Sequence, residues 1–413
     1  MGFLRKELLY VIVVGLGSTS VGSMMAYYSP AHAPLVNELR LTENMGTLFN
    51  MLGPLCAFIG SPLINFITPF LGRKKSVFLI NLGYLASWIL IAFTQIKFKW
   101  LLYFGRSLQG IATGMLSAIC SCYIVEISPV EEKAAYGAMH QIMICFAGSI
   151  TFLLGIWFNW RKIALIELVF PSSLTAFLSF IPDSTTVSVL PIRNPDSLFQ
   201  KKYAKNIFCS LVFVTAQQFA GINARFTNLE GIFTQAGVAL RPSICAFITG
   251  SAQFISGVFA VPLLQRFGRR AVWIISCVGQ IIALLIGWAN ELWPFSNYAP
   301  LISLFLDVLL FGVGFGPIPW FIVPELFPDT VRALAQSLAT SVNWFMASVV
   351  CLIWPYMEKA MGLGWAFFSF SGVILLSLLF GIFMMPETQN AYKKEQSSSL
   401  LGDPMLVDKE IYT

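Results

Sequence analysis

The chain has 413 residues, 57% of them hydrophobic and 11% charged, with a formal net charge of +6 and a mean hydropathy of +0.74. Soluble domains carry about 25% charged residues, so a water-soluble enzyme is excluded and lipid is the expected solvent. No basic arm accompanies the positive balance, which points to membrane topology and away from nucleic acid.

In chain order, apolar windows of about 20 residues, the length that crosses a bilayer core, fall at roughly 8–28, 45–67, 76–95, 100–122, 136–158, 163–181, 206–233, 243–264, 271–289, 299–322, 334–355 and 364–385. Backbone groups in lipid must be bonded within their own segment, so these windows predict about twelve transmembrane helices. The shorter alternating segments of a membrane β-barrel are absent from the sequence. The first window follows Arg5 and Lys6, and its apolar part is longer than a signal-peptide core. It is expected to remain as a membrane helix.

The longest polar interruption, 182–205, is rich in Pro, Ser and charge and separates six windows from six. The expected organisation is a first half over 1–181, a short cytoplasmic linker over 182–205, a second half over 206–385 and a cytoplasmic tail over 386–413. An even count places both termini on one side. With the termini inside, the inner connections hold about 17 Lys and Arg against about 7 outside, the bias that sets orientation. Cytoplasmic termini are therefore expected, at what is expected to be the plasma membrane.

The two halves repeat one pattern. Gly72-Arg73-Lys74, between the second and third windows, recurs as Gly268-Arg269-Arg270 between the eighth and ninth. Glu126 with Pro129 recurs as Glu325 with Pro328, and Lys133 as Arg332. Each offset is roughly 200 residues, the signature of two parallel repeats around a midplane site. All eight cysteines lie in the apolar windows and read as free packing residues, while His32 and His140 show no metal spacing. Neither a metal nor a cofactor is expected.

Certain motifs are specific. Gln217-Gln218 with Gly221-Ile222-Asn223-Ala224, Gly316-Pro317-Ile318-Pro319-Trp320 with Glu325-Leu326-Phe327, and Asn343-Trp344 resemble the sugar porters of the major facilitator superfamily. Gly105-Arg106, Tyr123, Trp160-Arg161 and Pro386-Glu387-Thr388 add to the likeness, and the run GLGSTSVGSMMAYYSPAHAPL is similar to arthropod facilitated trehalose transporters. The resemblance implies an all-α major facilitator fold of two pseudo-symmetric six-helix halves, and no enzymatic activity. It also implies a neutral sugar as the solute, bound by Gln141, Gln217, Gln218, Asn223, Gln253, Trp320 and Asn343, with Trp344 and Phe226 as aromatic walls. The chemistry agrees: a carboxamide offers two donors and an acceptor to sugar hydroxyls without adding charge. The alternative is that these amides only bond neighbouring helices, as membrane bundles allow.

Gly221 and the cluster Gly314, Gly316, Pro317 and Pro319 have a mechanical reading as gates, since glycine frees the backbone and proline removes a helix hydrogen bond; a static kink is the alternative. The same likeness implies a cytoplasmic latch of Arg73, Glu126, Lys133, Arg269, Arg270, Glu325 and Arg332, expected to pair across the halves. The sequence departs from the family at Pro69 and Gln265, where the loop pattern carries an acid, and in the shortness of the central linker. Arg225 stands where an apolar residue is usual; a charge there needs a partner, and Asp307 is the expected one, with Glu167 and Glu230 as alternatives. The first window has no acid between Glu7 and Glu38, where proton-linked members carry an Asp, which favours uniport. A transport-deficient sugar sensor, and a transporter of a polyol or another small organic solute, remain open. Nothing in the sequence bears on oligomeric state.

Overall fold

A computed structural model describes residues 2–129, 136–181 and 198–385, and among these residues it contains helices and no strand. The passes are α1 (Lys6–Ala26), α2 and α3 (one run, Glu43–Ala92), α4 (Trp100–Ile127), α5 (Met139–Gly155), α6 (Trp160–Phe180) and α7 (Lys201–Thr227). They continue with α8 (Pro242–Leu264), α9 (Arg266–Leu292), α10 (Ala299–Glu325), α11 (Thr330–Met361) and α12 (Leu363–Met384). The run Glu43–Ala92 is too long for one pass and turns at Gly72, which separates α2 from α3.

The duplication is visible in the backbone itself. Gly72 adopts φ 74° and ψ 175°, and Gly268, near the start of α9, adopts φ 79° and ψ 174°. Such a positive φ suits glycine and no other residue, so the two Gly-Arg loops turn in the same way for the same reason.

Each half builds its own apolar core. One cluster draws on α1 to α6, around Trp88, Tyr123 and Trp160. Another lies almost wholly in α7 to α12, around Trp273, Phe315 and Trp354. A small third cluster joins Met24, Met25 and Ala57 to Trp344 and Ala347 across the seam. Large apolar side chains such as Phe70 (87% exposed) and Phe383 (77% exposed) point outward. Lipid is the solvent that tolerates them.

Close packing rests on small residues. A Cβ on Gly110 would run into the Gly53 carbonyl, and one on Gly114 into the Ala57 carbonyl, so α2 and α4 lie backbone to backbone. Within the first half, Gly22 of α1 meets the Ile144 carbonyl of α5 in the same way. All eight cysteines are free thiols, as their placement in apolar windows implied.

Candidate functional site

α7 is not one helix. Its first part, Ala204–Phe219, ends on the two glutamines; Gly221 turns at φ +80°, and a short helix, Ile222–Thr227, follows. A Cβ on Gly221 would come within 2.5 Å of the Phe370 ring. Gly221→Ala therefore meets both an unfavourable dihedral and a steric clash. The expected result is about 1–3 kcal/mol of lost stability, read as a lower melting temperature of the purified protein; an unchanged melting temperature would argue against the break.

α10 breaks too. Helix Ala299–Leu310 passes into a π turn, Phe311–Phe315, before Ile318–Glu325 resumes after Pro317. The turn leaves carbonyls to be satisfied from elsewhere, and Gln217 does so, its Nε2 donating to Gly316 O at 2.8 Å and to Phe315 O at 3.3 Å. The Gln217 oxygen accepts from Asn343 Nδ2 at 2.8 Å; Gln218 Nε2 donates to Asn343 Oδ1 at 3.0 Å; Asn223 Nδ2 donates to Gln218 Oε1 at 2.5 Å. One chain of amides thus crosses both breaks and reaches α11.

These amides border a small cavity between the halves. Its walls hold Gln141 of α5, Gln217, Gln218, Asn223 and Phe226 of α7, Gln253 of α8, Trp320 of α10, and Asn343 and Trp344 of α11. The structure brings together all nine residues that the sequence nominated for the solute or for its aromatic walls. The alternative of helix bonding also holds, since the α7 amides bond α10 and α11 while lining the cavity. Gln141 Nε2 donates only to Cys145 Sγ, at 3.2 Å. The rest of the wall is Val21, Gly22 and Met25 of α1 with Ile144, Ile222 and Phe311. Sequence reasoning missed these six because an apolar or glycine residue facing a cavity looks like one facing lipid.

The halves meet on both sides of the cavity. Towards the end of the bundle away from the chain termini, Asn50 Nδ2 donates to Thr227 Oγ1 at 3.2 Å, Glu230 N to Ser29 Oγ at 3.0 Å, and Ser149 Oγ to Gly250 O at 3.0 Å. The Phe152 and Phe226 rings pack edge to face at 4.9 Å beside them. Towards the termini, Ser337 Oγ donates to Ser61 O at 2.8 Å and Gln336 Nε2 to Ser121 Oγ at 3.1 Å. The His140 and Trp320 rings lie 4.8 Å apart. Contacts between the halves thus flank the cavity towards both ends of the bundle.

The sequence profile of the family described as "Sugar (and other) transporter" matches residues 15–189 and 193–400. The chain belongs to that family. The facilitated trehalose transporter Tret1 of Polypedilum vanderplanki is 27% identical over 97% of this transporter and 89% of its own length. Sugar transporter ERD6-like 6 of Arabidopsis thaliana is 26% identical over 94% and 89%. Among solved structures, the xylose transporter XylE from E. coli in a partially occluded inward-open conformation superposes with a TM-score of 0.76, at 18% identity over 93% of this transporter and 99% of XylE. That likeness establishes the major facilitator fold of this transporter. Its family is one of sugar carriers, not of enzymes.

Near the termini, two pairs of the expected latch are in place. Arg73 pairs with Glu126 at 2.6 Å, and Arg269 with Glu325 at 3.0 Å. Both pairs lie within a half and not across the seam, because each Gly-Arg turn packs against the end of the fourth helix of its own repeat. Arg332 Nε donates to Pro324 O at 2.8 Å, again within the second half, while Arg270 is exposed. Lys133 lies outside the described residues. Pro317 and Pro319 flank the resumption of α10 after its π turn.

Arg225 and Asp307 form a fully buried pair, with Nη2 2.8 Å and Nε 3.0 Å from the same carboxylate oxygen. Asp307 is thus the partner that Arg225 required. Of the two other candidates, Glu167 accepts from Ser23 Oγ and Thr151 Oγ1, both at 2.6 Å, and the Glu230 backbone N–H bonds Ser29.

Proposed function

We propose that this transporter carries a neutral sugar, a hexose or trehalose, down its gradient by alternating access, with Gln141, Gln217, Gln218, Asn223, Gln253, Asn343, Trp320 and Trp344 holding the solute. The observation that carries the reading is the uncharged polar wall: among the described lining residues no side chain is ionised, while six are carboxamides. Carboxamides bond hydroxyls as donor and acceptor, and the indoles offer flat apolar faces to the C–H side of a sugar ring. An anionic solute would leave its charge unpaired in this cavity.

The acids support the uniport reading. Asp307 is neutralised by Arg225, and neither lines the cavity. The Tret1 relatives are named as facilitated transporters, in keeping with passive transport. The Arg73–Glu126 and Arg269–Glu325 pairs stiffen each half at the end that we assign to the cytoplasm, and Pro317, Pro319 and Gly221 give α10 and α7 their freedom to move as gates.

Uptake of labelled glucose, trehalose and a polyol into proteoliposomes, with and without an imposed pH gradient, tests this. The expected result is equilibration of a sugar without accumulation and an initial rate indifferent to the gradient. Proton-driven accumulation overturns uniport and turns attention to Glu167, the buried α6 carboxyl held by two hydroxyls. Sugar-dependent stabilisation without flux would instead identify a sensor.

A further inference from the structure

Arg225 and Asp307 do not line the cavity, yet each stands at a backbone break that does. Arg225 Nη1 donates to the Ala220 carbonyl at 2.6 Å, reaching back across the Gly221 turn. Its guanidinium carbon lies 5.1 Å from the centre of the Phe370 ring, the ring that occupies the space a Cβ on Gly221 would need. Asp307 stands one turn before the π turn of α10, and its main-chain oxygen accepts from the N–H of Phe311, a cavity residue. A single side chain therefore ties the turn of α7 to the start of the π turn of α10.

The pair is hard to explain as a source of stability. Both groups are wholly buried, and replacing a buried ion pair with well-packed apolar residues is often neutral or stabilising. What an apolar pair lacks is the fork, with donors fixed in one plane that reach a carboxylate and a carbonyl together. We propose that Arg225 is a positioning residue for transport: with Asp307 it makes the broken α7 and the π turn of α10 one moving part, and so sets where Asn223, Phe226 and Phe311 face the solute. The inference rests on the sugar-transport reading for its kinetic arm, but its structural arm needs no solute.

The test uses the full chain in liposomes, comparing the wild type with Arg225→Leu/Asp307→Leu, which buries no lone charge, and with Arg225→Lys. Amide hydrogen exchange is read first. In the double variant the amides of 220–225 are expected to exchange about tenfold faster, the effect of losing a bond worth ~1.4 kcal/mol, while the other spans and the melting temperature hold. Glucose and trehalose transport is read next, with KM expected to rise about tenfold and the maximal rate to stay within about twofold. Arg225→Lys should share that KM, because a point charge does not bridge both acceptors.

Wild-type exchange at 220–225 and wild-type KM in the double variant overturn the proposal, as does faster exchange spread over every span with a lower melting temperature. A wild-type KM in Arg225→Lys overturns the role of the fork. If the wild type moves no sugar while the local exchange change is present, the brace stands and the transport reading fails.

Discussion

Asp307→Ala is expected to cost about 3–5 kcal/mol of stability, because it leaves a guanidinium buried without its counter-ion. The pair has no exposure on either side, so neither water nor a lipid headgroup can take over. Arg225→Leu is the mirror case, with the carboxylate stranded. In both, the purified protein should melt well below the wild type and aggregate on extraction from the membrane. The charge-reversed pair, Arg225→Asp with Asp307→Arg, should recover part of the loss by restoring neutrality, though not the bond to the Ala220 carbonyl. Single variants that melt with the wild type would show that the charges are hydrated, and the buried pair would be wrong.

That pair also shows what a sequence can reveal about a membrane protein. A charge inside an apolar window is costly enough to demand a partner; of three candidate acids Asp307 is the expected one, because α7 and α10 are both expected to line the cavity. Reading the twelve passes and the repeat needed only length, hydropathy and spacing, since the bilayer fixes the first and the second. The amides were legible for the same reason as Arg225: polar groups in lipid must face something wet or bonded. The remaining wall was not legible. Gly22 sits in the cavity because it lets α1 approach the Ile144 carbonyl, a fact of packing that no residue type announces. The pairing of Arg73 with Glu126 inside one half was not legible for a related reason. Arg73 reaches Glu126 because α2 and α4 pack backbone to backbone at Gly110 and Gly114, which brings the loop to its own half before it can meet the other. Of the expected linker over 182–205, residues 182–197 lie outside the described residues, as does the tail from 386.

Gln217→Ala is expected to weaken sugar binding about 100-fold, roughly 2.7 kcal/mol, the worth of two or three buried hydrogen bonds. Gln217 is the hub of the amide chain. Its nitrogen satisfies the Gly316 and Phe315 carbonyls at the π turn, and its oxygen holds Asn343. Truncation therefore removes a contact to the solute and also frees Asn343, and through it Gln218, to turn away. Gln217→Glu should be no milder. A carboxylate cannot donate, so it would face two carbonyl oxygens with a negative charge in a site from which water is largely excluded. Gln141→Ala should lose about tenfold or less, since Gln141 bonds only a thiol and supports no other amide. Quenching of Trp320 and Trp344 fluorescence by sugar, with the melting temperature as a control for folding, ranks the three. Equal effects at Gln141 and Gln217 would mean that the sugar reads each amide independently. A steep difference would mean that the chain of amides, already ordered across both helix breaks before the sugar arrives, is what the sugar binds.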